Sequence, residues 1–332
     1  MKYVTRKRIL QYTKARTGRN WLKKIKLKRY GGLSLYKFFK IFLHNIEEDE
    51  ILDRSNGVAF NFTLAIFPAV IFFFTLIPFL SEFFPIISQE NIMEFISEVM
   101  PASMFGGVAS TIEDIVKNQR GSLLTFGFLF AVYLATSGMV ALMRAFNSCY
   151  RTIDRRGLFR MRLTAFALTV MLALALFTAV TLLVVGQIAI DHVALNAHKF
   201  NINLDYFTIY FLFILRFLVI FILFFVVISC IYYFGPSVHF NWSFFSVGSM
   251  LATFAGLAVS YLFSYYITNF GTYNKIYGSI GALIAFMIWI QLLTVVLLFG
   301  YEVNASLHYG QKIQAVQYNL DLKNTKSDRG LK

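Results

Sequence analysis

Tyr133–Arg162 reads YLATSGMVALMRAFNSCYRTIDRRGLFRMR. Its first half finishes an apolar helix, and the part from Arg144 onward holds six arginines and one aspartate. Arg144, Arg151 and Arg155 are spaced by seven and four, so a helix continuing through them would carry all three on one face, with Asn147 and Ser148 beside them. The switch from apolar to basic marks the point where a membrane helix leaves the bilayer and meets anionic groups. The predicted fold class is therefore an all-α, polytopic membrane protein.

Composition agrees. Of 332 residues, 58% are apolar and 14% charged, against about 45–50% and about 25% in soluble domains. Thirty-eight Phe and a mean hydropathy of +0.62 point to lipid as the main solvent. The net charge of +14 does not call for a nucleic-acid partner, because nearly all basic residues fall in three blocks that flank apolar segments of spanning length. Cys149 and Cys230 are far apart in sequence, and neither a disulfide nor a metal site is expected of them. The first thirty residues lack an apolar core segment, so no cleavable signal peptide is expected.

Working outward, residues 1–32 form a basic arm, with twelve Lys or Arg and no acid in the first thirty. Anionic lipid is one partner for such an arm and RNA or protein another. Leu35, Phe38, Phe39, Phe42 and Ile46 recur at helical spacing opposite Lys37 and Lys40. Residues 33–57 thus read as an interfacial amphipathic helix and an acidic linker. The membrane domain, 58–300, divides into spans of about 58–80, 122–143, 163–190, 207–234, 244–268 and 278–300. Pro68 and Pro78 predict a kink or break in the first. In the long outer loop, 81–121, Glu90, Glu94 and Glu98 recur every fourth residue and mark an amphipathic helix, with a second around Ile112. Asp191, His192, His198 and Asp205 match no metal-ligand spacing. The tail, 301–332, is polar and basic and is expected to lack structure.

Polar residues within the spans are the candidate site. Asn61 and Gln291 lie at membrane depth, where amides bond a neighbouring helix or face a wet cavity. Arg216 sits a few residues outward of the middle of its span, where an arginine costs on the order of 2.5–3.5 kcal/mol unless it finds partners. It either marks a site inside the bundle, with Gln187 and Gln291 as neighbours, or snorkels to the outer headgroups. Gly248, Ala252, Gly256, Ser260 and Ser264 recur every fourth residue, a helix-packing stripe that makes the fifth span a central or dimer-contacting element.

Loop charges set the expected orientation. The inner segments carry 15, six and five Lys or Arg, and the outer loops two, one and one, which places both termini in the cytoplasm.

Three blocks carry a resemblance: NGVAFNFTLAIFPAVIFFFTLIPFL (Asn56–Leu80), LATSGMVALMRAFNSCYR (Leu134–Arg151) and YGSIGALIAFMIWIQLLTVVLLFGYEVNASL (Tyr277–Leu307). Together they resemble the YihY/BrkB family of bacterial inner-membrane proteins over roughly residues 35–310. The resemblance implies six helices in the bacterial inner membrane, an association with virulence and serum resistance, a long-standing ribonuclease label, and a proposed link to lipid movement. It supplies no catalytic residues. The positions that match family motifs are Pro68, Gly138, Arg144, Asn147, Tyr150, Tyr277, Gly278, Glu302 and Asn304. Asn61 stands where the family more often has an aromatic or hydroxyl residue.

The sequence-based expectation is transport or flipping of an anionic amphiphile such as a lipid. Arg144, Arg151 and Arg155, with Asn147, would hold a phosphate on the inner side, and Arg216, with Asn61 and Gln291, would hold it further out. The alternative is a non-transporting scaffold or assembly factor with envelope protein partners or a homo-oligomer. The five histidines are scattered and no paired-carboxylate or H-x-H motif occurs, so no enzyme, metal or cofactor is expected, and the placement of the basic blocks needs no nucleic acid to explain it. Anionic headgroups at the cytoplasmic face are the expected partners. A dry centre would favour the scaffold, and a polar cavity joining Asn61, Arg216 and Gln291 would favour transport.

Overall fold

The computed structural model describes residues 20–48, 50–81, 114, 120–149, 154–196, 206–237, 243–269 and 280–330. Leu35–Glu48 forms α1, Ile51–Ser81 α2, Gly121–Cys149 α3, Leu158–Asn196 α4, Tyr206–Phe234 α5, Val247–Asn269 α6 and Ile280–Gly330 α7. Six of them, α2 to α7, are long and apolar enough to cross a membrane, as the sequence predicts. The two amphipathic helices expected in the outer loop lie outside the described residues, as do Arg151, His198 and Asp205.

Each long helix packs on its neighbours in sequence, and α7 returns to close on α2, so the six form a ring in order. Helices alternate in direction, and one end of the ring gathers the start of α2, α4 and α6 and the end of α3 and α5. The core sits there. Ile51 and Val58 of α2, Met139 to Phe146 of α3, Met161 and Ala165 of α4, Val227 to Tyr232 of α5, Ala252 of α6 and Leu298 and Tyr301 of α7 form one buried cluster. At its centre the Phe146 and Tyr301 rings stack at 4.2 Å, and Tyr232 meets both edge-on.

Two expectations need correction. Of the kink or break expected in the first span, the break is absent: α2 runs through Pro68 and Pro78. The tail is not unstructured, since α7 is 51 residues long and continues to Gly330. Part of the reason lies at the other terminus. Lys26–Leu27 and Leu33–Ser34 pair as a short antiparallel hairpin, which turns through Gly31 and Gly32 at φ +66° and +78°, angles that glycine adopts without strain. Leu33, Phe38 and Phe42 of this segment then pack on Val303 and Leu307, while Leu33 closes on Gly310 so tightly that a β-carbon there would stand 2.6 Å from its Cδ2. The N-terminal segment thus supplies apolar surface to the first turns of the tail, as far as Gly310.

α1 itself lays Phe38 against α7 and leaves Phe39 and Leu43 exposed, so its apolar side is divided between protein and surroundings. The fifth span, expected as a central or dimer-contacting element, packs on α7. At the core end α7 is enclosed on every side: Tyr301 to Leu307 are all buried, a run of two turns with no outward face.

Candidate functional site

The polar groups of the core end fall into three connected sets, and each joins segments distant in sequence. The first surrounds the arginine stretch. α3 ends at Cys149 and α4 begins at Leu158, so the helix does not continue through Arg155, which lies in the connection and is exposed. Asp154 and Arg156 of that connection pair at 2.8 Å. The Asn147 amide, buried, donates to Asp154 at 3.1 Å and accepts from the backbone N–H and hydroxyl of Ser237. Arg156 also donates to the carbonyls of Phe234 and Gly235, at 3.3 and 2.7 Å. A cation on the last carbonyls of α5 satisfies groups that the helix itself leaves unbonded and complements its dipole. Burial pushes the Asp154 carboxyl up, but the hydrogen bonds and charge of Arg156, with the Asn147 amide, outweigh it and hold the group below its ordinary value.

The second set closes α6 on α7. Asn304 accepts from the Gly248 N–H at 2.8 Å and donates to Ser246 at 2.8 Å. Ser246 and Ser249 bond each other's backbone reciprocally, a capping box at the start of α6. Ser229 of α5 donates to Ser249 at 3.0 Å.

The third set faces α1 and α2. Glu302, completely buried, accepts at Oε1 from Asn45 and from Ser306, both at 2.8 Å. Gln291 donates to Ser55 at 2.8 Å and Asn56 at 2.6 Å.

The candidate residues separate accordingly. Asn147 is built into the first set. Arg144 is exposed on α3 beside Ser148, whose hydroxyl bonds the Arg144 carbonyl at 3.1 Å, whereas Arg155 is off that helix and leaves the expected arginine face; Arg151 lies outside the described residues. Asn61 donates to Gly57 of its own helix at 2.7 Å. Gln291 is bound to the start of α2, through Ser55 and Asn56. Half-buried Arg216 lies along α4, where a β-carbon at Gly186 would stand 3.6 Å from its Cδ. Asn61 and Gln291 thus bond along α2, and Arg216 lies beside α4.

The α6 stripe lies toward α7. Gly248 meets Gly300, Ala252 lies 2.7 Å from where a Gly300 β-carbon would be, and Gly256 faces Leu293. Ser260 accepts from Trp289 at 3.2 Å, and Ser264 lines an open groove of about 270 Å³ with Phe263, Phe286 and Trp289.

Sequence reasoning missed several residues. Arg156 and Arg162, to which the sequence gives no role, both hold partners in the fold. Arg162 donates to Ser137 at 2.9 Å and stands 5.1 Å from the centre of the Tyr133 ring. Asp154, one acid among six arginines, was the available signal for the first. Asn45, hidden in an amphipathic pattern, gave none. Among the described residues, no group of three or more His, Cys, Asp or Glu gathers in a way that could hold a metal ion. Cys149 and Cys230 form no disulfide.

Residues 42–321, which include all three polar sets, match the family described as virulence factor BrkB. The chain belongs to the virulence factor BrkB family. YfkH of Bacillus subtilis (strain 168), whose name calls it ribonuclease-like, is 31% identical over 264 residues, 78% of this chain and 91% of the relative. The UPF0761 membrane protein of Histophilus somni (strain 129Pt) is 21% identical over 81% of this chain and 90% of its own. That of Coxiella burnetii (strain Dugway 5J108-111) is 24% identical over 82% and 96%. No solved structure matches. The chain is thus a BrkB-family membrane protein, and the resemblance read from its three blocks is borne out.

Proposed function

We propose that this protein engages anionic amphiphiles, most directly phospholipids of the cytoplasmic leaflet, and moves or flips them along its lipid-facing surface. One observation carries this reading. The single acid of the arginine stretch is taken up by Arg156, which leaves Arg144, Arg155 and Arg160 exposed with no carboxylate partner among the described residues. Three guanidiniums with no carboxylate partner among the described residues, around the end of an apolar helix, suit phosphates, which arginine binds through two parallel N–H donors. A route along the surface suits the bundle better than one through it, because Gln291, Asn147, Glu302 and Asn304 are engaged in contacts between segments. The cytoplasmic placement rests on loop charge alone.

The test is translocation of a labelled phosphatidylglycerol in proteoliposomes. A triple variant R144Q/R155Q/R160Q, reconstituted to the same level as the wild type, is expected to lose most of the activity. An unchanged rate sinks the reading. The ribonuclease-like name of one relative suggests a different activity, for which the described residues assemble no clustered acids or histidines.

A second reading, a non-transporting scaffold, draws on the same bonded interior. If wild-type proteoliposomes show no translocation above protein-free vesicles, the scaffold is the better description.

A further inference from the structure

We propose that Arg162, Ser137 and Tyr133 form a second phosphate station on the seam between α3 and α4, deeper in the bilayer than Arg144, for the headgroup of an anionic lipid. The inference rests on the surface route above and names its next step.

Arg162 is the fifth residue of α4 and lies inside its apolar segment, Leu158–Leu182. An arginine in such a place needs partners. Those it has are neutral: one N–H on the Ser137 hydroxyl at 2.9 Å, and the Tyr133 ring, whose centre lies 5.1 Å from the guanidinium carbon. No carboxylate among the described residues pairs with it. A guanidinium carries five N–H donors, so a doubly bonded anion can be added without displacing Ser137. The Ser137 hydroxyl donates to the Tyr133 carbonyl at 2.8 Å, and rotation of that O–H would give the anion a further donor. The seam also opens to lipid. Tyr133 is 56% exposed, Leu163 57%, Leu158 78% and Phe159 80%, apolar surface on which acyl chains can lie while the headgroup reaches the guanidinium.

Tyr133, Ser137 and Arg144 are spaced by four and seven and share one face of α3. Seven residues of helix separate Ser137 from Arg144 by about 10 Å. A headgroup held first at Arg144 therefore has a second cation waiting along the same face, further from the helix end. A free phosphate would satisfy the same donors, but it lacks the chains that the apolar rim accommodates. The occupant is a lipid.

Native mass spectrometry of the delipidated full-length protein, titrated with phosphatidylglycerol, phosphatidylcholine and inorganic phosphate, tests the proposal. The wild type is expected to retain phosphatidylglycerol over phosphatidylcholine. R162Q should weaken that retention about tenfold, the scale of one lost charged hydrogen-bond pair, and R162K by less, since it keeps the charge without the fork. S137A leaves the arginine in place and should give a smaller loss, which keeps the test open where R162Q does not fold. Retention unchanged in R162Q and S137A but lost in R144Q overturns the deep station and leaves the surface reading standing. Retention unchanged in all of them overturns both. Inorganic phosphate that displaces the lipid at equal concentration overturns the assignment of a lipid occupant.

Discussion

Asn304 holds the start of a helix 56 residues away from it, its side-chain oxygen accepting the Gly248 N–H at 2.8 Å and its nitrogen donating to Ser246. A helix leaves its first N–H groups without intrahelical partners, and in lipid such groups are costly. Asn304 can reach them because α6 and α7 touch backbone to backbone at Gly248 and Gly300. The close approach and the polar cap are one device.

That approach gives the first prediction. A β-carbon at Gly248 would run into the Gly300 carbonyl and stand 2.7 Å from the Asn304 side chain, whereas one at Gly256 meets only Leu293 Cδ2, at 3.9 Å. Gly248→Ala is therefore expected to destabilise the protein by about 1–3 kcal/mol. Gly256→Ala should change little. Equilibrium unfolding of the two variants in the same detergent makes the comparison.

Acid should release the connection between α3 and α4. The Asp154 carboxyl is held below its ordinary value, so its charged form is favoured by folding. The stabilisation is complete above the unfolded aspartate value, about 3.9, and is lost as pH falls through the lower folded value. Asp154→Asn removes the charge at every pH. The gap between wild type and D154N in thermal midpoint should be constant at neutral pH and close in strong acid. A gap that widens on acidification contradicts the assignment.

Asn45 joins α1 to Glu302, and its loss should free α1 without unfolding the ring. Asn45→Ala is expected to speed hydrogen exchange across Leu35–Glu48 and leave α3 and α5 unchanged. Glu302→Gln keeps an acceptor oxygen for Asn45 and Ser306, but Glu302→Ala removes both bonds inside a fully buried site. E302A should cost about 1–3 kcal/mol, and E302Q clearly less.

Two amides that the sequence presents as equals should behave differently. Gln291 bonds another helix and Asn61 bonds its own. A double-mutant cycle of Gln291→Ala with Ser55→Ala is expected to show a coupling of about 0.6 kcal/mol, the average for such bonds within membranes. Asn61→Ala should lie within about 0.5 kcal/mol of wild type.

These contrasts mark what the sequence could reveal. Six spans were legible because apolar length is a one-dimensional property, and the spacing of Gly248, Ala252 and Gly256 is a property of a single helix. Partnership is not. Asn61 and Gln291 have the same chemistry and similar surroundings in sequence, and only the crossing of α7 over the start of α2 separates them. The arginine stretch was misjudged for a related reason. Its six cations looked alike until the fold set Asp154 and the end of α5 beside one of them, and Ser137 and Tyr133 beside another. The tail was read as unstructured because its polarity was weighed alone, without the apolar face that Leu33 and Phe38 bring to it.

The unbroken burial of Tyr301 to Leu307 has a consequence for tolerance to change. On an ordinary surface helix, substitutions are accepted on one side and rejected on the other, so a scan along the chain rises and falls every three to four residues. Here Tyr301 meets Phe146 and Tyr232, Glu302 meets Asn45, Val303 and Leu307 belong to the cluster that holds α1, and Asn304 meets α6. Every side of the helix has a different keeper. A saturation scan should register this segment as a seven-residue plateau of intolerance with no helical rhythm, an inheritance pattern that a reader of variants would mistake for a catalytic motif and that is instead the signature of an axle.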